Sequence, residues 1–279
     1  MKNFTDFAMP GSSGIMRVIP SKPPGRDVPS YAQAVGAVRE AIPGYTANGG
    51  EDKTQDDTAA PSPPEPPQPE ATMPPPRKGN PRGTIQFLTI IGQVEGHVVL
   101  PPTNKATKYE HVIPQLVLCA ENTEVDGLLV LLNTMGGDVE AGLALAELIA
   151  HLGKPTVSLV LGGGHSIGVP LAVAADYSFI APSATMTLHP IRINGTIVGA
   201  PQSYEYFQKT QERVEEFILA HAKIDRAKLK GLMMDATQMA QDVGTILIGE
   251  DAVKEGIIDA VGGLYPAMEK LYELIRDAE

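Results

Sequence analysis

Gly127-Leu128-Leu129-Val130-Leu131-Leu132-Asn133-Thr134-Met135-Gly136-Gly137-Asp138 is the stretch that decides the fold. Its first six residues carry no polar side chain, the mark of a strand buried on both faces; a strand with one wet face would alternate apolar and polar. Two glycines end the run, and a helical pattern opens at Asp138. From there to Leu152, residues Val139, Leu143, Leu145, Ala146, Leu148, Ile149 and Leu152 build one broad apolar face. A carboxylate at the start suits the positive end of that helix. A doubly buried strand feeding an amphipathic helix is the repeating unit of a parallel sheet covered by helices.

The same alternation continues on both sides. Upstream, Thr84–Ile91 reads as a strand and Lys108–Glu121 as a helix. Downstream, Thr156–Leu161, Tyr177–Ala181 and Thr185–Leu188 read as strands. Helices over Tyr204–His221 and Ala227–Met234 follow, and a segment from Ile246 to Leu274 closes the chain. The expected fold class is α/β with a mainly parallel sheet.

Further out the composition changes. The chain has 279 residues and 25 prolines, of which 16 fall in residues 1–81. Runs such as Pro61-Ser62-Pro63-Pro64 bury too little apolar surface to offset the entropy of ordering, so residues 1–81 are expected to be a disordered tail. A short helix over Tyr31–Ile42 is the exception. The folded domain is expected over residues 82–279. The net charge is −11, and −10 of it lies beyond residue 81, where 14 Lys/Arg face 24 Asp/Glu. That surface excludes a partner held by its phosphate backbone, so no nucleic acid is expected. The single cysteine, Cys119, excludes an intramolecular disulfide and a multi-cysteine zinc site, and reads as a small core residue. With no apolar run near the ~18 residues of a membrane span, a soluble, cytoplasmic protein is expected.

Two glycine-rich corners fall at strand ends, where open α/β sheets bind ligands. One is Asn133–Asp138; the other is Gly162-Gly163-Gly164-His165-Ser166-Ile167-Gly168. The second contains Gly164-x-Ser166-x-Gly168 between a strand and a helix, a setting that thrusts a serine out of a tight turn and stabilises oxyanion charge. The bland alternative is a serine that caps a helix. A nucleophilic serine needs a base, and the base needs an orienting group. Of six histidines, His189 is the candidate: it ends the strand Thr185–Leu188, on the rim of Ser166 if the strands run parallel. His151 and His221 read as surface positions, and His165 adjoins the serine on a turn whose neighbours diverge. For the third member Asp242 leads and Asp235 is the reserve. Glu212, Glu215 and Glu216 read as a solvated face. No metal-ligand spacing and no dinucleotide-binding glycine pattern is present, so no cofactor is expected.

Taken together, these motifs resemble the ClpP family of serine peptidases, and within it the translocation-enhancing (TepA) branch. The resemblance covers residues 82–266. It runs through Thr107-Lys108-Tyr109-Glu110-His111, Asn133-Thr134-x-Gly136-Gly137-Asp138, Gly162–Pro170, Asp176–Ala181, His189-Pro190 and Gly249–Val253. It implies a spiral of ββα units shared with crotonases. It implies Ser166 as nucleophile, His189 as general base and Asp242 as the acid. Gly136, with Gly137 beside it, and the N–H of Ile167 would form the oxyanion hole. Peptide or protein substrates follow, as do homo-oligomeric, heptameric rings stacked through a handle near Arg192 to Phe217, and a role in proteolysis or protein export. Thr134-Met135 stands where ClpP has Ser-Pro, and Gly-His-Ser-Ile where it has Ala-Ser-Met. A Pro-rich tail replaces the axial N-terminal segment, which leaves docking to a Clp ATPase open. The competing readings are a catalytically weak scaffold and a crotonase-like acyl-CoA enzyme. A lipase-type hydrolase needs a histidine after its acid, and none follows Asp242.

Overall fold

The computed structural model describes residues 81–192, 199–237 and 243–278. The expected tail, the helix over Tyr31–Ile42 and Asp242 lie outside the described residues. Eight strands are described: β1 Ile85–Glu95, β2 Ala106–Lys108, β3 Gly127–Gly137, β4 Thr156–Gly164, β5 Tyr177–Ile180, β6 Thr185–Leu188, β7 Thr245–Ile248 and β8 Ala260–Val261. The helices are α1 Tyr109–Glu121, α2 Val139–Ala150, α3 Gly168–Val173, α4 Ala200–His221, α5 Arg226–Met233, α6 Glu250–Lys254 and α7 Leu264–Ala278.

The main sheet runs in the order β2-β1-β3-β4-β5-β8, and every pairing in it is parallel. The central strand β3 carries the aliphatic run that decides the fold. Leu128, Val130 and Leu132 join the larger core with Val112, Leu116 and Cys119 of α1 and Leu145 and Ile149 of α2. Leu129 faces the other way, and with Val157, Leu159 and Phe179 it is covered by Ala267, Leu271 and Ile275 of α7. Both faces of one strand are therefore dry, as its unbroken aliphatic sequence requires. Helix α2 begins where expected: the Asp138 side chain caps it, accepting the Ala141 N–H at 2.8 Å.

The chain departs from the expected pattern in two places that matter for the site. Both glycine-rich corners are continuations of strands, since β3 runs to Gly137 and β4 to Gly164. And β6 leaves the main sheet: it touches β4 in parallel at Gly163↔Thr185 and pairs antiparallel with β7. This side sheet carries His189 just past the end of β6. Among the described residues no helix is long and apolar enough to cross a membrane, and no cluster of His, Cys, Asp and Glu fits a metal ion.

Candidate active site

Ser166 follows the last residue of β4 by two positions, at the entry to α3. Its φ is +57°, and it is the one non-glycine among the described residues with a positive φ. A side chain rarely adopts that conformation without a surrounding structure that imposes it. Here the imposition is visible. The Ser166 N–H donates to the Thr187 carbonyl at 2.9 Å, while the Ser166 carbonyl accepts the Val169 N–H at 2.9 Å. The first bond ties the turn to β6, the second to α3. Because β4 and β6 are parallel neighbours, the serine and the residue that ends β6 share one rim. Ser166 and His189 line the same small pocket, with Val139, Ile191, Ile218 and Met233 among its walls.

The protonation of His189 follows from its partner. Nδ1 lies 2.6 Å from the Pro190 carbonyl oxygen. A carbonyl can only accept, so Nδ1 carries the proton and the lone pair sits on Nε2. His165, expected to diverge from its neighbour, does so: its Nδ1 lies 2.8 Å from Thr187 Oγ1. Burial, and then the nearby His189, hold the His165 imidazole below its usual range.

The first glycine corner lies directly against the serine. A Cβ built on Gly136 would sit 2.7 Å from Ser166 Cβ and 3.4 Å from Ser166 Oγ, and Gly136 has φ +91°. Only glycine fits. Its N–H donates to Thr134 Oγ1 at 3.0 Å, and that hydroxyl donates to the Gly92 carbonyl at 2.6 Å. The Ile167 N–H, by contrast, makes no hydrogen bond among the described residues. Gly142 of α2 packs so closely on the Ile167 side chain that a Cβ there would overlap it. The free donor is therefore held in place by the helix that begins at Asp138.

Of the two acids, Asp242 lies outside the described residues. Asp235 closes the turn after α5, its Oδ1 accepting from Thr237 N–H at 2.8 Å and from Thr237 Oγ1 at 2.6 Å. Glu215, expected on a solvated face, is instead 5% exposed. It shares its side of α4 with Gln211, Val214 and Ile218, and the spacing of those apolar residues was the signal that this side is buried. The Gln211 side chain was not anticipated at all; its Oε1 accepts the Ile191 N–H at 2.8 Å.

A serine on a constrained strand-to-helix turn, a histidine of defined tautomer and an abutting glycine corner are thus contributed by β3, β4 and β6. Residues 82–264 match the family model described as Clp protease. The chain belongs to the Clp protease family. A Translocation-enhancing protein TepA of Halalkalibacterium halodurans is 58% identical over 194 residues, 70% of this chain and 76% of that protein. An ATP-dependent Clp protease proteolytic subunit 1 of Chlamydia muridarum is 25% identical over 134 residues, 47% of this chain and 67% of that one. In this member of the Clp protease family the residues that match the family extend from the first residues before β1 to the start of α7.

Proposed function

We propose that the chain is a Clp-type serine endopeptidase in which Ser166 is the nucleophile and His189 the general base. The observation that carries this reading is Ser166 itself, held at a positive φ on the wall of a pocket that it shares with an imidazole protonated on Nδ1. Nε2 takes the Ser166 proton as Oγ attacks a peptide carbonyl, then returns it to the leaving amine; water releases the acyl-enzyme by the reverse steps. The Ile167 N–H holds the developing oxyanion. A second donor comes from Gly136, with Gly137 beside it, once the Met135–Gly136 peptide turns away from Thr134 Oγ1. Asp242, with Asp235 in reserve, is proposed to steady the imidazolium through its negative charge, while Nδ1–H stays on the Pro190 carbonyl.

The pocket beside Ser166 is walled by Val139, Val169, Val214, Ile218 and Met233 and offers about 20 Å³ to the centre of a water molecule, room for one or two waters. A small apolar side chain next to the scissile bond fits it, and a charged one does not. The chain would act as a homo-oligomer on peptide or protein substrates in the cytoplasm. The name of the TepA relative suggests a setting in protein export.

One observation favours a second reading, a catalytically silent scaffold: the Gly136 N–H is already taken by Thr134 Oγ1 at 3.0 Å. Hydrolysis of fluorogenic peptides with alanine before the cleaved bond separates the two. The proposal expects turnover by the wild type and a loss of about 10³-fold or more in Ser166→Ala and His189→Ala. Equal turnover in wild type and Ser166→Ala would overturn it.

A further inference from the structure

The Pro190–Ile191 peptide group is engaged on both sides. Its carbonyl accepts the His189 Nδ1–H at 2.6 Å, and its N–H donates to Gln211 Oε1 at 2.8 Å. Gln211 Nε2 in turn donates to Glu215 Oε1 at 3.0 Å, with Met233 Sδ at 3.3 Å as a second neighbour. The chain of contacts runs from a carboxylate, through a side-chain amide and one peptide plane, to the imidazole of the proposed base. Glu215 is buried, and its Oε2 has no hydrogen-bond partner among the described residues; Lys230 Nζ is 3.7 Å away. Burying a carboxylate so thinly compensated is costly, and packing alone gives no reason to keep it.

We infer that Gln211 and Glu215 are positioning residues for His189: they orient and polarise the Pro190 carbonyl that fixes the Nδ1–H tautomer and supports the imidazolium. Each hydrogen bond in such a series strengthens the next, because a peptide whose N–H is held by a polarised acceptor carries more negative charge on its oxygen. The arrangement links helix α4 to the base through one peptide plane. His165 on the serine turn, Glu215 on α4, and Lys230 and Arg226 on α5 are charged or titratable groups that bear on this series.

The inference rests on the peptidase reading, and its test separates the two. Full-length wild type, Gln211→Met, Glu215→Gln and the double variant are treated with a fluorophosphonate probe, with Ser166→Ala as the blank. Gln211→Met keeps the side-chain length and removes both hydrogen bonds. Measured well below the thermal midpoint of each variant, the maximal labelling rate should fall about 10- to 100-fold in Gln211→Met, with the probe's half-saturating concentration unchanged. Glu215→Gln should fall less, and the double variant should be no worse than Gln211→Met, because one series is already broken. Wild-type labelling rates in Gln211→Met, a loss confined to half-saturation, or independent additive losses overturn the inference. The ¹H–¹⁵N resonance of His189 Nδ1–H, assigned by its loss in His189→Gln, reads the same contact without activity. It should move or vanish in Gln211→Met; if it stays unchanged the relay is wrong, whether or not the wild type labels. Failure of the wild type to label removes the peptidase reading alone.

Discussion

At Gly136 there is no room for a Cβ. A methyl group there would meet Ser166 Cβ at 2.7 Å and the His165 carbonyl at 2.8 Å, on a backbone at φ +91°. Those neighbours are a backbone atom and the nucleophile, and neither can yield without opening the turn. Gly136→Ala should therefore abolish probe labelling while the protein stays folded and native in its circular dichroism. Wild-type labelling of that variant would mean that the first glycine corner is no part of the site. The glycines were legible as a corner because they interrupt an aliphatic run. Their contact with Ser166 was not, because it depends on the register of β3 against β4, which shifts between Leu132 and Thr134.

The elements were largely legible where hydrophobic periodicity speaks alone. Strand β6 spans the expected residues, Thr185–Leu188, and the helix over Tyr109–Glu121 buries Val112, Leu116 and Cys119 at helical spacing. Strand β2 was invisible: three half-buried residues with no alternation give no pattern to read. It exists because β1 has a free edge, and Gln93, Val94 and Glu95 pair there with Ala106, Thr107 and Lys108. Helix α7 was expected only as part of a closing segment, yet it covers the outer sheet face at Leu129, Val157, Leu159 and Phe179. Leu271, fully buried against Leu129, Val157 and Leu159, is its central anchor. Leu271→Ala should lower the unfolding free energy by about 2–5 kcal/mol, read as a shift in the denaturant midpoint. A shift below about 0.5 kcal/mol would place α7 outside the cooperative fold. The Glu215 expectation failed for a related reason. A charge was read as a solvated residue, although its helical neighbours Val214 and Ile218 are buried.

For the whole molecule, exposed apolar side chains stand beyond α7 among the described residues: Phe87 and Ile91 on β1, Leu161 on β4, and Ile246 and Ile248 on the side sheet, each 40% or more exposed. A face of this kind is what a subunit contact buries. If it is the ring contact, native mass spectrometry should give seven or fourteen copies of the 29.6 kDa chain, and Leu161→Glu should reduce the assembly to monomers. A monomeric wild type, or an unchanged assembly in that variant, removes this face from the account. The fold class was legible in the sequence, and so was the placement of Ser166 and His189 on one rim, because each rests on local pattern and strand order. The hydrogen bonds around them, from Thr134, Pro190 and Gln211, join residues up to 42 positions apart, which no local pattern encodes.

The most direct test of the central claim is to map the adduct of a fluorophosphonate probe on the intact protein by peptide mass spectrometry. One modified residue, Ser166, is expected, and no modification when His189 is replaced by alanine. Labelling at another residue, or none on a folded wild type across neutral to mildly alkaline pH, contradicts it.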